Sequence, residues 1–291
     1  MAEHHGIYIG TSGWSYPKGE GTWKGYFYPA GKINELEYYS RFFNTVEINS
    51  SFYRPPDPSY ALNWAKRTPD DFLFTVKLWQ KFTHPEMYTE ATGRDAAISQ
   101  EDVDLFRRSI EPLAMHGKLG ALLAQFPPGF KNGAFERQIL AAVIKTFGEY
   151  RVAVELRHRS WTDDENTAVL LKEHNACWVE IDEPKFGTSI AADVPLTSDI
   201  TYFRFHGRNR ENWWKGNGET RYQYLYSEEE LKELAGKMDK AAGTAKLLFA
   251  QFNNHWQGYA PRNAVDLKKQ MGLPFVELPM MKETEGQEKL L

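Results

Sequence analysis

Three segments with the alternation of a β-strand carry polar or charged side chains on the face opposite their apolar ones. In residues 151–157, Glu155 and Arg157 share one face and apolar residues occupy the other. Residues 177–182 and 201–206 repeat the pattern, with the polar side chains of Glu180, Asp182, Tyr202, Arg204 and His206. Because successive side chains of a strand point to opposite faces, we expect these polar groups to converge on one interior. The pattern favours a fold in which strands surround a partly polar cavity.

The same alternation predicts eight strands: residues 7–11, 45–49, 72–77, 121–126, 151–157, 177–182, 201–206 and 247–253. Most are followed by a segment with the period of an amphipathic helix. Strands that alternate with helices form parallel sheets, and eight such units in 291 residues fit an α/β fold, a closed (β/α)8 barrel of the TIM type. The sixth unit is the weakest, because residues 184–199 lack an apolar period, so we expect its helix to be short or irregular.

Side chains that cap free backbone amides mark several helix starts. Residues 227–230 and 162–165 each match a capping box, in which a hydroxyl and a carboxylate satisfy amides at the first turn. Ser99 is suited to cap a further helix, which Pro112 is expected to bend or end.

The chain is predicted to form one domain over residues 1–281 with a polar tail at 282–291, because no Pro/Gly/Ser-rich linker divides it.

The single cysteine, Cys177, lies on an apolar strand face, so no internal disulfide can form and a reducing, cytoplasmic setting is expected. No apolar stretch reaches membrane-spanning length, so no membrane partner is expected. The formal net charge of -4 argues against a protein coated with base for duplex binding, but not against a local basic cleft.

Barrels of this type carry their chemistry at the carboxyl ends of the strands. The inward polar positions expected there are Glu47, Asn49, Lys77, Gln125, Glu155, Arg157, Asp182, Arg204, His206 and Asn253. A buried charge without a partner is costly, so these groups must pair with one another or with a ligand. A self-satisfied ion network is therefore the alternative to a binding site, although ordinary barrel interiors are filled by branched apolar side chains.

Acid–base chemistry on a small anionic compound is the first function that fits this set. Lys77, Arg157 and Arg204 would bind a phosphate or carboxylate, for which the guanidinium fork is well shaped. The catalytic candidates, whose pKa values burial and nearby cations would tune, are Glu155, His206, Asp182 and Glu47. The amides that complete the ligand-binding set belong to Asn49, Asn253 and Gln125.

A divalent metal is the second option, and the cofactor is otherwise unknown. Glu155, Asp182 and His206, with Glu47 or His158, offer suitable ligands. Metal binding is not favoured, because two arginines on the same strands would repel the ion. A third option is a polar interior that binds without reacting, as a sensor or scaffold.

Aromatic residues crowd the loops predicted to follow the strands, among them Trp14 and Trp161. Flat rings beside charged groups stack on sugar faces or nucleobases, although a loop tryptophan also serves as an anchor. Residues 206–222 combine rings with basic residues, including Arg208, near where barrels often hold phosphate. A protein that binds or processes nucleic acid, including a metal-dependent hydrolase, is therefore the rival function. The connection at residues 79–98 is long enough for a lid, with a packed surface loop as its alternative.

Six motifs occur in order between residues 7 and 278: GTSGW at 10–14, VEIN at 46–49 with Phe52 and Tyr53, QFP at 125–127, ELRH at 155–158 with Ser160 and Trp161, RFHG at 204–207, and FNN at 252–254. Together they resemble the YecE-like family, domain-of-unknown-function family 72. The resemblance implies a barrel related to the (β/α)8 class and no established reaction. From the residues themselves, the sequence favours an enzyme, a hydrolase or lyase, that acts on a phosphate-bearing or sugar-like anion.

Overall fold

The computed structural model describes residues 6–191, 193–216 and 220–279. Within these ranges nine strands form one sheet, in which all neighbouring strands are parallel. In chain order they are β1 (Ile7–Ser12), β2 (Thr45–Ile48), β3 (Leu73–Lys77), β4 (Leu119–Gln125), β5 (Val152–Glu155), β6 (Cys177–Trp178), β7 (Glu180–Asp182), β8 (Ile200–Phe205) and β9 (Leu247–Phe252). Their order across the sheet is β6-β5-β4-β3-β2-β1-β9-β8-β7.

The sheet closes through the sixth predicted strand, which Val179 divides into β6 and β7. β6 pairs with β5 and β7 pairs with β8, so one chain segment joins the two ends of the sheet. The Val179 amide donates to the Val154 carbonyl at 2.9 Å and keeps the segment in place. The prediction of a (β/α)8 barrel of the TIM type is confirmed. All eight predicted strands are present, with ends shifted by at most two residues, and the division of the sixth is the departure.

Helices follow most strands and surround the barrel. They are α1 (Glu35–Tyr39), α2 (Pro58–Lys66), α3 (Gln80–Thr83), α4 (Pro85–Thr92), α5 (Gln100–Met115), α6 (Ala134–Thr146), α7 (Asn166–Glu173), α8 (Glu228–Ala242) and α9 (Tyr259–Gln270). Capping boxes open α5 and α8, where Ser99 and Ser227 exchange hydrogen bonds with Asp102 and Glu230. Pro112 lies inside α5 rather than at its end.

The capping box predicted at residues 162–165 does not form, and α7 begins at Asn166. The preceding chain is held in a 3-10 turn, Arg159–Trp161, and the Thr162 hydroxyl donates back to the Arg159 carbonyl at 3.0 Å. That hydroxyl is therefore directed away from the amides of the helix, which explains the error.

The described residues 183–191 and 193–199, between β7 and β8, contain no helix. This confirms the weak sixth helix. The outer face of β7 is consequently not covered by a helix of its own, and Glu180 on that face contacts Lys237 of α8 at 3.4 Å.

The connection at 79–98 contains α3 and α4, and it is packed rather than extended. Lys81 of α3 pairs with Asp102 of α5 at 2.8 Å, and Tyr88 of α4 is buried. The packed alternative predicted for this segment is therefore the arrangement found.

Aromatic packing fills the lower end of the barrel. Phe249 on β9 stacks on Tyr8 with ring centroids 5.3 Å apart. A Cβ atom at Gly120 of β4 would lie 2.8 Å from the Phe249 ring, so glycine is required there. The polar side chains of the interior lie above this floor, towards the carboxyl ends of the strands.

None of the helices in the described ranges has the length and apolar character needed to span a membrane. A single domain over residues 1–281 stays a prediction, and the tail predicted at 282–291 lies outside the described residues.

Candidate functional site

Two carboxylates and an arginine occupy the centre of the barrel interior. Arg204 on β8 lies 2.6 Å from Glu47 on β2 and 2.5 Å from Glu155 on β5. The Tyr202 hydroxyl donates to Glu47 at 2.8 Å and lies 2.7 Å from the Thr75 hydroxyl. All five side chains are buried, and the network gives each buried charge the partner that it needs.

Arg157 adds a second cation above this centre. Its Nη2 and Nε lie 2.6 and 2.7 Å from Oε1 of Glu155. The Nε2 of His206 lies 3.2 Å from Arg157 and 3.4 Å from Arg204. On the other side of the ring, Nδ1 of His206 lies 2.9 Å from the side-chain nitrogen of Asn253.

The charges of this network are fixed near neutral pH. Burial alone would raise the pKa of Glu155, but Arg204 and Arg157 outweigh it and hold that pKa well below its usual value. Burial, reinforced by Arg157, lowers the pKa of His206 to about 3. Glu155 is therefore a carboxylate and His206 a neutral imidazole, and both contact the two arginines.

A cavity of about 670 Å³ opens above the network, at the carboxyl ends of the strands. Six of the residues predicted to bind a ligand converge on it: Lys77, Arg157, Arg204, Asn49, Asn253 and Gln125. The aromatic residues of its lining are Tyr16, Phe52, Tyr53, Trp213, Trp214 and Tyr222. The guanidinium of Arg221, which also lines the cavity, lies 5.9 Å from the centre of the Trp213 ring.

Lys77, the last residue of β3, presents its amine to this cavity without a protein counter-ion. Within the described part of the chain, Nζ has no hydrogen-bond or ion-pair partner, and it lies 3.9 Å from the centre of the Phe52 ring. Burial, reinforced by Arg204, lowers the pKa of Lys77 to about 7. Near neutral pH the amine is therefore divided between its charged and neutral forms.

Glu183, which the sequence did not indicate, places a carboxyl group in the lining of the cavity. It follows β7 on the inward face and lines the cavity. Its Oε2 is buried, has no hydrogen-bond partner among the described residues, and lies 3.8 Å from Nη1 of Arg157. Burial raises the pKa of Glu183. The alternation of strand residues could have indicated it, had the inward face of residues 177–182 been assigned correctly.

Asp182 and Arg208 lie outside the cavity, contrary to expectation. β7 is in register with β8 so that Asp182 lies beside Phe205, on the face opposite Arg204. Residues in register share a face, so Asp182 points outward, where it contacts Arg208 at 2.7 Å and accepts from the Tyr226 hydroxyl at 2.7 Å. Because no helix follows β7, the outer face of this strand is the polar one.

Trp14 and Trp161 are likewise not among the described residues that line the cavity. Trp161 is fully buried, and its Nε1 donates to the Phe130 carbonyl at 2.7 Å. Trp14 packs edge-on against Trp64 with ring centroids 5.4 Å apart. Both tryptophans therefore anchor loops, which is the alternative role for such residues.

His84, between α3 and α4, is a second lining residue that the sequence did not indicate. Its ring packs edge-on against Phe52 at 4.9 Å, and its Nδ1 lies 2.8 Å from the Thr83 hydroxyl. Burial and then the charge of Lys77 lower the pKa of His84 to about 4. No strand or helix period marks a residue in such a turn, so no sequence signal was available.

The side chains considered as metal ligands do not meet at one point. Asp182 points outward, His158 bonds within its own turn, and Arg204 lies between Glu47 and Glu155. In residues 6–191, 193–216 and 220–279, no group of three or more His, Cys, Asp or Glu side chains is arranged to hold a metal ion.

Comparison with known proteins agrees with the motifs found in the sequence. The chain matches the family described as "Protein of unknown function DUF72" over residues 8–288. It is 31% identical to UPF0759 protein YunF of Bacillus subtilis (strain 168) over an alignment of 285 residues that covers 92% of this chain and 96% of YunF. It is 34% identical to UPF0759 protein YecE of Escherichia coli (strain K12) over 155 residues, 52% of this chain and 48% of YecE.

Solved structures show the same fold. A crystal structure of a DUF72 family protein from Thermotoga maritima MSB8 gives a TM-score of 0.80 at 39% identity. The match covers 92% of this chain and 100% of that one. A DUF72 family protein from Enterococcus faecalis V583 gives a TM-score of 0.80 at 26% identity, covering 96% of this chain and 100% of that one.

Proposed function

Because this chain belongs to the DUF72 family, whose description assigns no function, we propose from the site itself that the barrel mouth binds a small anionic compound and acts on it by acid–base chemistry. The compound would carry a phosphate or carboxylate group, or be a sugar-like acid.

One observation carries this proposal: a cavity of about 670 Å³ is lined by a lysine without a protein counter-ion and by a buried carboxyl group. Pockets for small ligands commonly measure about 300–1,000 Å³ and combine aromatic walls with a few polar groups. Lys77 and Glu183 are the titratable groups whose pKa values burial has moved towards neutrality. Perturbed groups in a cleft are typical of functional sites.

The lining residues divide into binding and proton-transfer roles. Lys77, Arg157 and Arg221 would attract the anion, and Glu183 is the acid–base group with an oxygen available to the ligand. The rings of Trp213 and Tyr222 are suited to stack on an apolar or sugar face.

The predicted catalytic residues of the network support this arrangement from below. Glu47 and Glu155 hold Arg204 and Arg157 in fixed positions, and His206 lies against both arginines. A fixed cation requires little reorganisation when an anion binds, which favours both binding and catalysis.

Single-stranded nucleic acid, the rival ligand, gains less support from the basic segment that motivated it. Arg208 pairs with Asp182 at 2.7 Å and with Glu230 at 3.1 Å, so its charge is neutralised within the protein. A small anion fits a cavity of about 670 Å³ better than a strand that needs an extended basic track.

A thermal-shift screen of phosphate- and carboxylate-bearing metabolites tests the proposal. A compound at a hundred times its Kd should stabilise the protein by about 2.7 kcal/mol. Compounds that stabilise the wild type should lose their effect on Lys77→Met and Glu183→Gln. Matched changes at exposed positions of α7, Lys172→Met and Glu173→Gln, should retain it. Equal shifts in all four variants, or no stabilising anion in the panel, would contradict the proposal.

A further inference from the structure

We propose that the Lys77 amine is a nucleophile that forms an imine with the bound compound, so that the substrate is an aldehyde or ketone bearing an anionic group. This inference rests on the proposed function and names the substrate class of the same site.

Lys77, which is half-buried, differs from the buried lysines, whose amines are satisfied by the protein. Nζ of Lys118 donates to the Ala65 and Thr68 carbonyls, each at 2.7 Å. Nζ of Lys81 pairs with Asp102 at 2.8 Å, and Nζ of Lys268 donates to the Phe42 carbonyl at 3.0 Å. These lysines are structural. In the described ranges of the chain, Lys77 has no equivalent partner and instead faces a ligand-sized cavity.

The surroundings of Lys77 keep its amine nucleophilic. Nζ lies 3.9 Å from the centre of the Phe52 ring. Burial and then the charge of Arg204 lower the pKa of Lys77, and they outweigh the opposing charges of Glu155 and Glu47. A neutral amine carries the lone pair that attacks a carbonyl, and desolvation beside other cations is a known means of activating lysine for this reaction. A pKa of about 7 for Lys77 leaves a large share of the amine neutral at physiological pH.

Two further groups of the cavity can move the protons that imine formation requires. His84 is a neutral imidazole whose ring contacts Phe52, as Lys77 does. Glu183 is a carboxyl group whose pKa burial raises, so that it can carry a proton into the cavity.

The reaction balances with these groups. The Lys77 lone pair forms a bond to the carbonyl carbon as the C=O π pair moves to oxygen. His84 takes a proton from nitrogen, and Glu183 gives one to oxygen, which yields a neutral carbinolamine. The hydroxyl then takes the proton back from His84 and leaves as water while the nitrogen lone pair forms the C=N bond. The product is a protonated imine, and the Glu183 carboxylate is left beside Arg157.

Reductive trapping on the intact protein tests this chemistry without knowledge of the natural substrate. The protein is exposed briefly at pH 7 to glycolaldehyde, which is neutral, or to glyoxylate, which is anionic, each with cyanoborohydride, and the modified lysines are located by peptide mass mapping. Lys77 should be labelled at least about tenfold faster than the exposed Lys172. Labelling at this site should vanish in Lys77→Met, while Lys172 is still modified.

Imine formation at Lys77 and anion binding at the mouth can fail independently in these experiments. If Lys77 is labelled no faster than Lys172 by either aldehyde, imine formation is overturned, and anions that still stabilise the protein would leave the proposed function standing. If glycolaldehyde labels Lys77 rapidly but glyoxylate does no better, the nucleophile is supported and the preference for an anion is contradicted. Because the comparison is made within the wild-type protein, poor folding of a variant cannot obscure it.

Discussion

Nη1 of Arg204 lies 2.5 Å from Oε2 of Glu155 at the centre of the barrel, and neither side chain is more than 2% exposed. Arg204 also reaches Glu47 through its other nitrogens, and Glu155 also reaches Arg157. Two carboxylates and two guanidinium groups therefore neutralise one another beneath the cavity. Arg157 and Arg204, which also line the cavity, are held in place by these carboxylates.

Removal of Arg204 should be strongly destabilising. Arg204→Met removes the cation that Glu47 and Glu155 share and leaves both carboxylates buried. The free energy of unfolding should fall by about 3–5 kcal/mol. The same change at Arg159, whose pair with Asp163 is 55% exposed on both sides and is screened by solvent, should cost far less. Urea unfolding of both variants measures the difference, and equal costs would show that the network contributes nothing special to the barrel.

Lys77→Met should stabilise the protein in a pH-dependent manner. The pKa of Lys77 falls from about 10.4 in the unfolded chain to about 7 in the folded protein. The unfolded state therefore binds more protons between these values, and wild-type stability decreases as the pH falls from about 10 to 7.

Methionine removes that penalty, so the variant should be more stable by up to roughly 4 kcal/mol below pH 7, with the gap narrowing towards pH 10. Urea unfolding across this range measures it, with Lys172→Met as the control. A gap that does not change with pH would contradict the lowered pKa of Lys77.

Glu183→Gln should show the opposite pH dependence. Burial raises the pKa of Glu183, so the wild type keeps the associated stability at low pH and loses it as the pH rises through the folded pKa. We expect equal stability of variant and wild type below the pKa of an unfolded glutamate, and a variant that gains on the wild type as the pH rises through the raised pKa of Glu183. Thermal melts with Glu173→Gln as the matched control test this, and a variant that is less stable at high pH would refute it.

Asp182→Asn should weaken the fold without affecting the mouth. Asp182 accepts from Arg208 and Tyr226 on the outer face, and their loss should cost about 1–3 kcal/mol. Compounds that stabilise the wild type should stabilise the variant equally. A selective loss of ligand binding would restore Asp182 to the site.

Sequence alternation was sufficient to bring Glu47, Glu155, Arg157 and Arg204 together. Their strands have polar residues on one face and residues that pack under helices on the other, so the polar face must point inward. For residues 177–182 the same alternation was correct, but the choice of face was reversed. The absence of an apolar helix period in 184–199 already indicated that the outer face of this strand would be uncovered.

His84 and the contacts of Lys77 could not be predicted from the sequence. His84 reaches the cavity because α3 and α4 fold against α5, and no local period determines that packing. Lys77 was predicted at the mouth, but its lack of a protein counter-ion depends on where every neighbouring carboxylate pairs. Such information is carried by the three-dimensional network alone.

The state of the Lys77 amine tests most directly whether the mouth receives an anion. With lysine labelled at Cε with 13C, its resonance can be assigned by its loss in Lys77→Met and followed by NMR as the pH is changed. We predict a midpoint near pH 7, since the pKa is about 7, and an upward move of that midpoint when inorganic phosphate or a stabilising anion is added. A midpoint near that of a free lysine, about 10.4, or one that no anion moves, would contradict the account.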